Sequence, residues 1–156
     1  MAEFPKRKNI RLKDFDYSQN GCYFVTICTK DRKNLFWESV GADIIRPNLS
    51  EYGKIANTAI NAISLHYPNM KIDEYVIMPD HVHMILIISN DENGRIISAP
   101  TKPLATVIGQ MKRWVSKEIG FSVWQKSFYE HIIRDEADYL IKAEYIRNNI
   151  YKKSDN

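Results

Sequence analysis

Two histidines separated by one residue, His81 and His83, are the sharpest chemical feature of the sequence. They lie in the apolar, β-rich run Pro79-Asp-His-Val-His-Met-Ile-Leu86. Alternate side chains of a strand share a face, so the two imidazoles point the same way about 7 Å apart and could converge on one cation. An isolated pair of this kind more often simply lines a polar sheet face. Two imidazoles also leave a metal under-coordinated, so a third ligand has to come from elsewhere in the fold.

Tyr145 and Asn149 are four residues apart in a predicted late helix and therefore share one helical face. Such a face could present a nucleophile and a metal ligand together. Tyr139 and Tyr151 each lie six residues from Tyr145, about 240° around the helix, and so occupy other faces. The alternative is an amphipathic helix that packs Tyr145 beside Ile141.

The elements that position these residues follow from hydrophobic periodicity and from turn and capping signals. The pattern predicts strands at Gly21–Thr29, Lys71–Met78, His81–Ser89 and Phe128–Ile133, and helices from the N-cap Ser50 to Tyr67, from Pro103 to Gly120, and from about Asp135 to Tyr151. The segment 31–48 is predicted as a loop with a short strand near Asp43–Arg46. This order indicates an α+β fold, a ferredoxin-like or RRM-like antiparallel sheet backed on one side by helices.

Composition indicates one soluble domain spanning residues 1–156. The chain is 44% hydrophobic and 26% charged, which excludes wholesale disorder. The longest apolar stretch, Met84–Ile88, is too short to span a bilayer, so no membrane association and a cytoplasmic location are expected. Cys22 and Cys28 have neither CxxC spacing nor the density of a secreted scaffold, so both are expected to be reduced.

Basic residues are concentrated at two places, which suggests contacts with nucleic acid. The net charge is only +3, but residues 1–15 form a basic arm that could bind a phosphate backbone. Its cationic side chains are Lys6, Arg7, Lys8, Arg11 and Lys13. A second group, which includes Lys112 and Arg113, surrounds Trp114. An exposed tryptophan there would suit single-stranded nucleic acid, but we expect Trp114 to be a core residue.

Four blocks of the sequence resemble, in order, the HUH single-tyrosine transposases of the insertion-sequence 200 type, and in particular their REP-associated branch. The blocks are Gly21-Cys-Tyr-Phe-Val-Thr-Ile-Cys-Thr-Lys-Asp-Arg32, Met78-Pro-Asp-His-Val-His-Met-Ile-Leu86, Trp124-Gln125 with Tyr129-Glu-His-Ile-Ile-Arg-Asp-Glu136, and Tyr145-Ile-Arg-Asn-Asn149. The resemblance implies that His81, His83 and Asn149 bind a divalent metal and that Tyr145 attacks DNA. Ile150 stands where REP-associated members tend to have proline. His131 also belongs to the pattern and is expected to make a structural hydrogen bond.

The activity implied by the resemblance is transposition: metal-assisted cleavage and rejoining of single-stranded DNA near hairpins through a 5′-phosphotyrosine. Mg²⁺ or Mn²⁺ is the expected cofactor, although two imidazoles and an amide would also suit Zn²⁺. Such a protein would be nucleoid-associated, and relatives act either alone or as homodimers in which the tyrosine serves the partner's histidines.

Two other readings of the sequence stay open. Tyr23 and Phe24 on a ferredoxin-like sheet could bind RNA or single-stranded DNA without a metal, as an RRM does, and metal dependence discriminates this module from an enzyme. A host-domesticated enzyme that nicks hairpin repeats would keep the same active site, and the DNA flanking the gene would separate it from a mobile element.

Overall fold

The computed structural model describes residues 21–38, 48–88 and 104–154 of the chain. Within these residues, strands β1 to β4 are Gly21–Cys28, Met70–Ile77, His81–Ile88 and Tyr129–Ile132, and helices α1 to α3 are Glu51–His66, Leu104–Ile119 and Glu136–Ser154. A 3-10 turn, Lys30–Arg32, follows β1. The α+β class predicted from the sequence is confirmed, and the predicted elements differ from these bounds by only a few residues.

The described strands form one antiparallel sheet in the order β2-β3-β1-β4. This is the ferredoxin-like order expected from the split β-α-β pattern. β3 and β1 occupy the middle of the sheet, while β2 and β4 form its edges. The register between β1 and β3 places Thr26 opposite His83, so the second histidine lies in the most enclosed part of the sheet.

Helices cover both faces of this sheet, whereas the sequence pattern led us to expect helices on one side only. α1 and α2 pack against one face through residues such as Val25 and Met84. α3 packs against the other face, where Phe24 and Ile85 are buried. The middle strands are apolar on both faces, so each face has to be covered by a helix to remove it from water. The outcome is a three-layer domain with α3 on the side of the histidines.

The start of α1 is set by the predicted N-cap. The Ser50 hydroxyl accepts a hydrogen bond from the Gly53 amide at 3.1 Å, which satisfies one of the unpaired donors of the first turn. Gly53 allows α1 to lie directly against the loop at Phe36, whose amide and that of Leu35 both donate to the Pro79 carbonyl. This loop therefore connects the N-terminus of α1 to the turn that precedes His81.

Trp114 departs from its predicted place in the core, because 41% of its surface is exposed. The buried stripe of α2 is Leu104, Val107, Ile108, Met111 and Val115. Trp114 lies one position before Val115, which places it at the edge of that stripe. There it lines a groove of about 570 Å³ between α1 and α2, together with Tyr67 and Gln110.

Several sequence predictions fall outside the described residues. They are the basic arm with Lys6, Arg7, Lys8, Arg11 and Lys13, the short strand at Asp43–Arg46, and the ends of two elements at Ser89 and Pro103. The predicted end of α2 at Gly120 is confirmed: this residue has φ of +104°, in the left-handed region that favours glycine at a helix C-terminus.

Gly53→Ala is expected to lower the free energy of unfolding by about 1–3 kcal/mol, because an added Cβ would collide with the Phe36 carbonyl oxygen and lie 3.1 Å from Leu49 Cβ. Urea denaturation measures the effect. Gly109→Ala is the matched control, since a Cβ in that position of α2 meets nothing within 4 Å. It should stabilise the helix by up to about 1 kcal/mol. Equal effects of the two substitutions would show that the contact between α1 and the Phe36 loop is loose.

Candidate active site

His81 and His83 point to the same face of β3, as predicted from their spacing. Their ring centroids are 4.6 Å apart at an interplanar angle of 71°, closer than the spacing of alternate residues alone suggests. Val82 and Met84 point to the opposite face and are fully buried under α1 and α2. The alternation of β3 thus places the two histidines on one face of the sheet and the residues that pack under α1 and α2 on the other.

His83 is held in place by both middle strands. α3 covers this face of the sheet, and His83 is only 6% exposed. Nδ1 lies 2.8 Å from the Thr26 hydroxyl, and the ring stacks on Phe24 with centroids 5.3 Å apart. Burial, assisted by the charges of His81 and Arg32, lowers the pKa of His83 from 6.5 to about 3, so the imidazole is neutral at physiological pH.

The other ring nitrogen of His83, Nε2, is buried and has no hydrogen-bond partner among the described residues. An unsatisfied buried nitrogen normally costs stability unless a ligand or water meets it. If Nδ1 donates its proton to Thr26, Nε2 carries a lone pair. That is the arrangement found at histidines that bind metals, where the second nitrogen is oriented by a hydrogen bond.

Asp80 orients the first histidine in the same manner. Its Oδ1 lies 2.7 Å from His81 Nδ1, and its Oδ2 accepts a hydrogen bond from Arg32 Nε at 3.0 Å. Burial alone would raise the pKa of Asp80, but the hydrogen bonds from His81 and Arg32 outweigh this and lower it. The ionised carboxylate can only accept, so His81 Nδ1 donates to it, and Nε2 is the nitrogen of His81 that is left for a cation.

Arg32 reaches Asp80 from an unusual backbone conformation. Asp31 and Arg32 have φ of 58° and 55°, in the left-handed region, and neither residue is glycine. Each costs roughly 1 kcal/mol relative to the right-handed conformation. The hydrogen bond to Asp80 helps to stabilise this turn. The arginine side chain is 53% exposed, and its Nη2 lies 3.5 Å from His81 Nδ1, so part of its positive charge is accessible next to the histidines.

Tyr145 of α3 lies over the two middle strands, β1 and β3. Its ring centroid is 5.1 Å from that of His83 and 6.1 Å from that of Phe24, in edge-to-face geometry with both. The residue is 40% exposed, so its side chain is partly accessible to solvent. Asn149 follows one turn later on the same side of α3 and is buried.

Tyr139 occupies a different environment from Tyr145, in agreement with the spacing argument. Its side chain is 1% exposed, and its hydroxyl donates to Asp73. Burial, followed by the hydrogen bond to Asp73, raises the pKa of Tyr139 well above its ordinary value. This phenol therefore stays protonated and out of reach of a macromolecular substrate.

The remaining predicted residues lie away from the histidines or outside the described chain. Lys112 and Arg113 are on α2, which covers the opposite face of the sheet. The Lys112 ammonium donates to the carbonyls of Gln125, Lys126 and Ser127 at 2.7–3.3 Å, so it supports a loop, whereas Arg113 is exposed. Their contact with DNA stays a prediction.

His131 makes the structural hydrogen bond expected of it. Its Nε2 lies 2.7 Å from Asp138 Oδ2, which joins β4 to the first turn of α3.

Four residues contribute to the site in ways that the sequence did not predict: Thr26, Arg32, Asp80, and Phe24, which was considered only as a ring that stacks on a base. Asp80 could have been recognised from its place directly before the first histidine. Thr26 and Phe24 become visible only through the register between β1 and β3.

The described residues contain no group of three or more His, Cys, Asp and Glu side chains that could hold a metal. The two histidines nevertheless fit a cation, because each has its Nδ1 engaged by a neighbour and His83 has a buried Nε2 to offer. Any third protein ligand among the described residues would have to be of another type, such as an amide.

Comparison with known proteins gives the family of the chain. Residues 17–149 match the family model described as Transposase IS200 like. The chain belongs to the IS200-like transposase family. An uncharacterized protein of Haemophilus influenzae is 37% identical over 161 residues, covering 92% of this chain and 87% of the relative. A second protein of that organism, named as a candidate REP-associated tyrosine transposase, is 29% identical over 143 residues, covering 88% and 74%.

The fold of this IS200-like transposase is also found in a solved structure. The structure of a REP-associated tyrosine transposase bound to a REP hairpin matches with a TM-score of 0.65 and 21% identity, covering 98% of this chain and 74% of the other. Among the residues that the structure describes, none of the helices combines the length and hydrophobicity that crossing a membrane requires.

Without added metal, His83 is expected to stay neutral down to about pH 4, because its folded pKa of about 3 lies below the unfolded value of 6.5. Between these two values the unfolded chain binds a proton that the folded chain does not, so stability falls as the pH drops from 6.5 towards 3. NMR of the histidine rings checks this directly. A His83 resonance that titrates near pH 6.5 would contradict the buried environment described here.

Proposed function

We propose that this transposase cleaves and rejoins single-stranded DNA through a covalent bond between Tyr145 and a 5′-phosphate. The observation that carries the proposal is the placement of the Tyr145 ring 5.1 Å from the ring of His83, whose Nε2 is buried and has no partner among the described residues. A phenol and two oriented imidazoles thus occupy one site. The site opens to solvent on the tyrosine side.

Tyr145 is the nucleophile in this proposal. The phenol gives up its proton to solvent as its oxygen attacks the phosphorus of a phosphodiester. The bond from phosphorus to the 3′-oxygen breaks, and the leaving 3′-oxygen takes up a proton. The products are a 5′-phosphotyrosine and a 3′-hydroxyl. The phosphotyrosine keeps the energy of the phosphodiester, so a second 3′-hydroxyl can attack it, release Tyr145 and join a new pair of strands without ATP.

His81, His83 and Asn149 would hold a divalent cation, Mg²⁺ or Mn²⁺. A bound cation would polarise the phosphoryl oxygen, which matters because a phenol with an ordinary pKa near 10 is a weak nucleophile at neutral pH. His83 contributes a neutral donor, since burial lowers its pKa, and His81 would offer Nε2, since its Nδ1 faces Asp80. The nitrogen-rich ligand set would also accept Zn²⁺.

The proposed substrate is single-stranded DNA that carries hairpins. Support comes from the fold it shares with a REP-associated tyrosine transposase bound to a REP hairpin, from a relative of similar name, and from the basic residues of the arm 1–15. Arg113 on α2 and Arg32 beside the histidines add exposed positive charge to the described surface. Dimer formation stays a prediction.

A binding module that uses sheet aromatics is less well supported. An RRM stacks bases on exposed aromatic rings of its sheet. Here Phe24 is 5% exposed and packs between His83 and the α3 residues Tyr145 and Lys142. Tyr23 faces the α1 and α2 side, so neither ring is available for stacking with a base on the α3 side.

Tyr145→Phe is expected to abolish a covalent protein–DNA adduct while it leaves DNA affinity unchanged, because it removes only the phenolic oxygen. The measurement uses a 3′-labelled single-stranded oligonucleotide with a hairpin, in Mn²⁺, followed by denaturing electrophoresis. Wild-type protein should carry the 3′ fragment.

Tyr129→Phe is the matched control, since Tyr129 is an exposed tyrosine on β4; it should keep the adduct. A blunt duplex should give little adduct. Mapping of the adduct to a residue other than Tyr145 would refute the assignment of the nucleophile.

His81→Ala is expected to remove the increase in melting temperature that Mn²⁺ causes in the wild-type protein, because a cation that binds only the folded state stabilises it. Asn149→Ala should reduce the increase as well. This readout does not depend on catalysis.

His66→Ala is the control for the metal experiment, since this histidine is exposed at the end of α1. It should leave the Mn²⁺ effect intact. An unchanged Mn²⁺ effect in His81→Ala would place the cation elsewhere.

A further inference from the structure

Strand β2 changes register in its middle. Ile72 pairs with Leu86 and Glu74 pairs with Ile85, so Asp73 is an extra residue opposite a regular partner strand. Such a β-bulge shifts by one the alternation of side chains between the two faces.

The shift is visible in the packing of β2. Before the bulge, Met70 and Ile72 face α1 and α2, and after it Tyr75 and Ile77 do so. In a regular strand these two pairs would lie on opposite faces. The bulge instead turns two consecutive residues, Asp73 and Glu74, towards α3.

Both of these carboxylates bind α3. Asp73 accepts a hydrogen bond from the Tyr139 hydroxyl, and Glu74 accepts one from Arg147 Nη2 at 2.7 Å. Tyr139 and Arg147 are eight residues apart, so the two contacts attach more than two turns of the helix to β2. The Glu74 and Arg147 side chains are 19% and 33% exposed, and an ion pair at such partial burial is stronger than one at the open surface.

The opposite side of α3 is attached to β4. Asp138 lies 2.7 Å from His131 of that strand and also accepts from Lys142 at 3.3 Å. β2 and β4 are the two edges of the described sheet, so α3 is attached to the sheet at both of its edges. Tyr145 lies between these contacts and above the middle strands, where it meets Phe24 and His83.

We propose that the bulge of β2 positions the nucleophile: Asp73 and Glu74, through Tyr139 and Arg147, set the placement of α3 that holds Tyr145 beside His83. This rests on the proposed role of Tyr145 and adds positioning residues to it. Arg147 is two residues from Tyr145, so the pair of Glu74 and Arg147 has the most direct influence on the tyrosine. A displacement of about 1 Å at the reacting groups can cost roughly a hundredfold in rate.

A charge-reversal cycle tests the proposal. Glu74→Arg and Arg147→Glu each place like charges together, and the double variant restores an opposite pair. Each single variant is expected to slow adduct formation at saturating DNA and Mn²⁺ by at least about tenfold, and the double variant to recover to within about threefold of wild type. Hairpin affinity of the double variant should stay within about twofold of wild type, because the two reversals together leave the net charge unchanged. If a reversal does not fold, Glu74→Gln removes the charge and keeps the shape, and is expected to slow the same step.

The control is Glu51→Lys, which reverses one charge of the exposed pair with Lys54 on α1, remote from the tyrosine. It should leave the adduct rate at the wild-type value. A wild-type adduct rate in folded Glu74 and Arg147 variants would overturn the proposal. A double variant that recovers the melting temperature but not the adduct rate would also overturn the proposal, because the ion pair would then stabilise the fold without positioning Tyr145.

An NMR measurement keeps this test independent of catalysis. Ring protons of His83 and Tyr145 should show a nuclear Overhauser effect in the wild type, which weakens in the single variants and returns in the double variant. If the wild type shows the contact but forms no adduct with any DNA, the proposed function fails while the positioning role is still decided by the variants. An unchanged contact in folded single variants would refute the positioning role.

Discussion

The candidate site depends on keeping one uncharged imidazole buried in the middle of the sheet. His83 has to lose contact with water for its pKa to fall to about 3, and a strand in a two-layer domain would leave that face open. α3 supplies the cover through a buried stripe that includes Tyr139, Ala143 and Ile146. The third layer therefore also keeps the histidine neutral, because the packing of α3 removes water from the imidazole and so disfavours its charged form.

Local periodicity accounts for the parts of the site that the sequence predicted. An alternation of two residues separates His81 and His83 from Val82 and Met84, and a spacing of four puts Tyr145 and Asn149 on one side of a helix. These rules depend only on neighbours along the chain. They therefore predicted which side chains share a face, and the observed rings of Tyr145 and His83 are in contact.

The features that the sequence did not predict depend on contacts between distant segments. Asp73 and Glu74 interrupt the apolar alternation of β2, but only the pairing with β3 and the shared packing of Tyr75 and Ile77 with Met70 and Ile72 identify a bulge. The left-handed turn at Arg32 is supported by Asp80, which is far along the chain. Trp114 has the residue type of a core position, but its place one step from the buried stripe of α2 leaves it at a groove.

The bulge in β2 also gives a criterion for comparing relatives of this chain. A relative that lacks one residue of β2 would have a continuous pleat there, and only one of two adjacent acids could then reach the last helix. The signature consists of two consecutive acids in this strand, together with a tyrosine six residues before the position of Tyr145 and an arginine two residues after it. Relatives that lack one of these residues are expected to lack the others. Covariation among these positions would therefore divide the family into groups that fix the equivalent of α3 by different contacts.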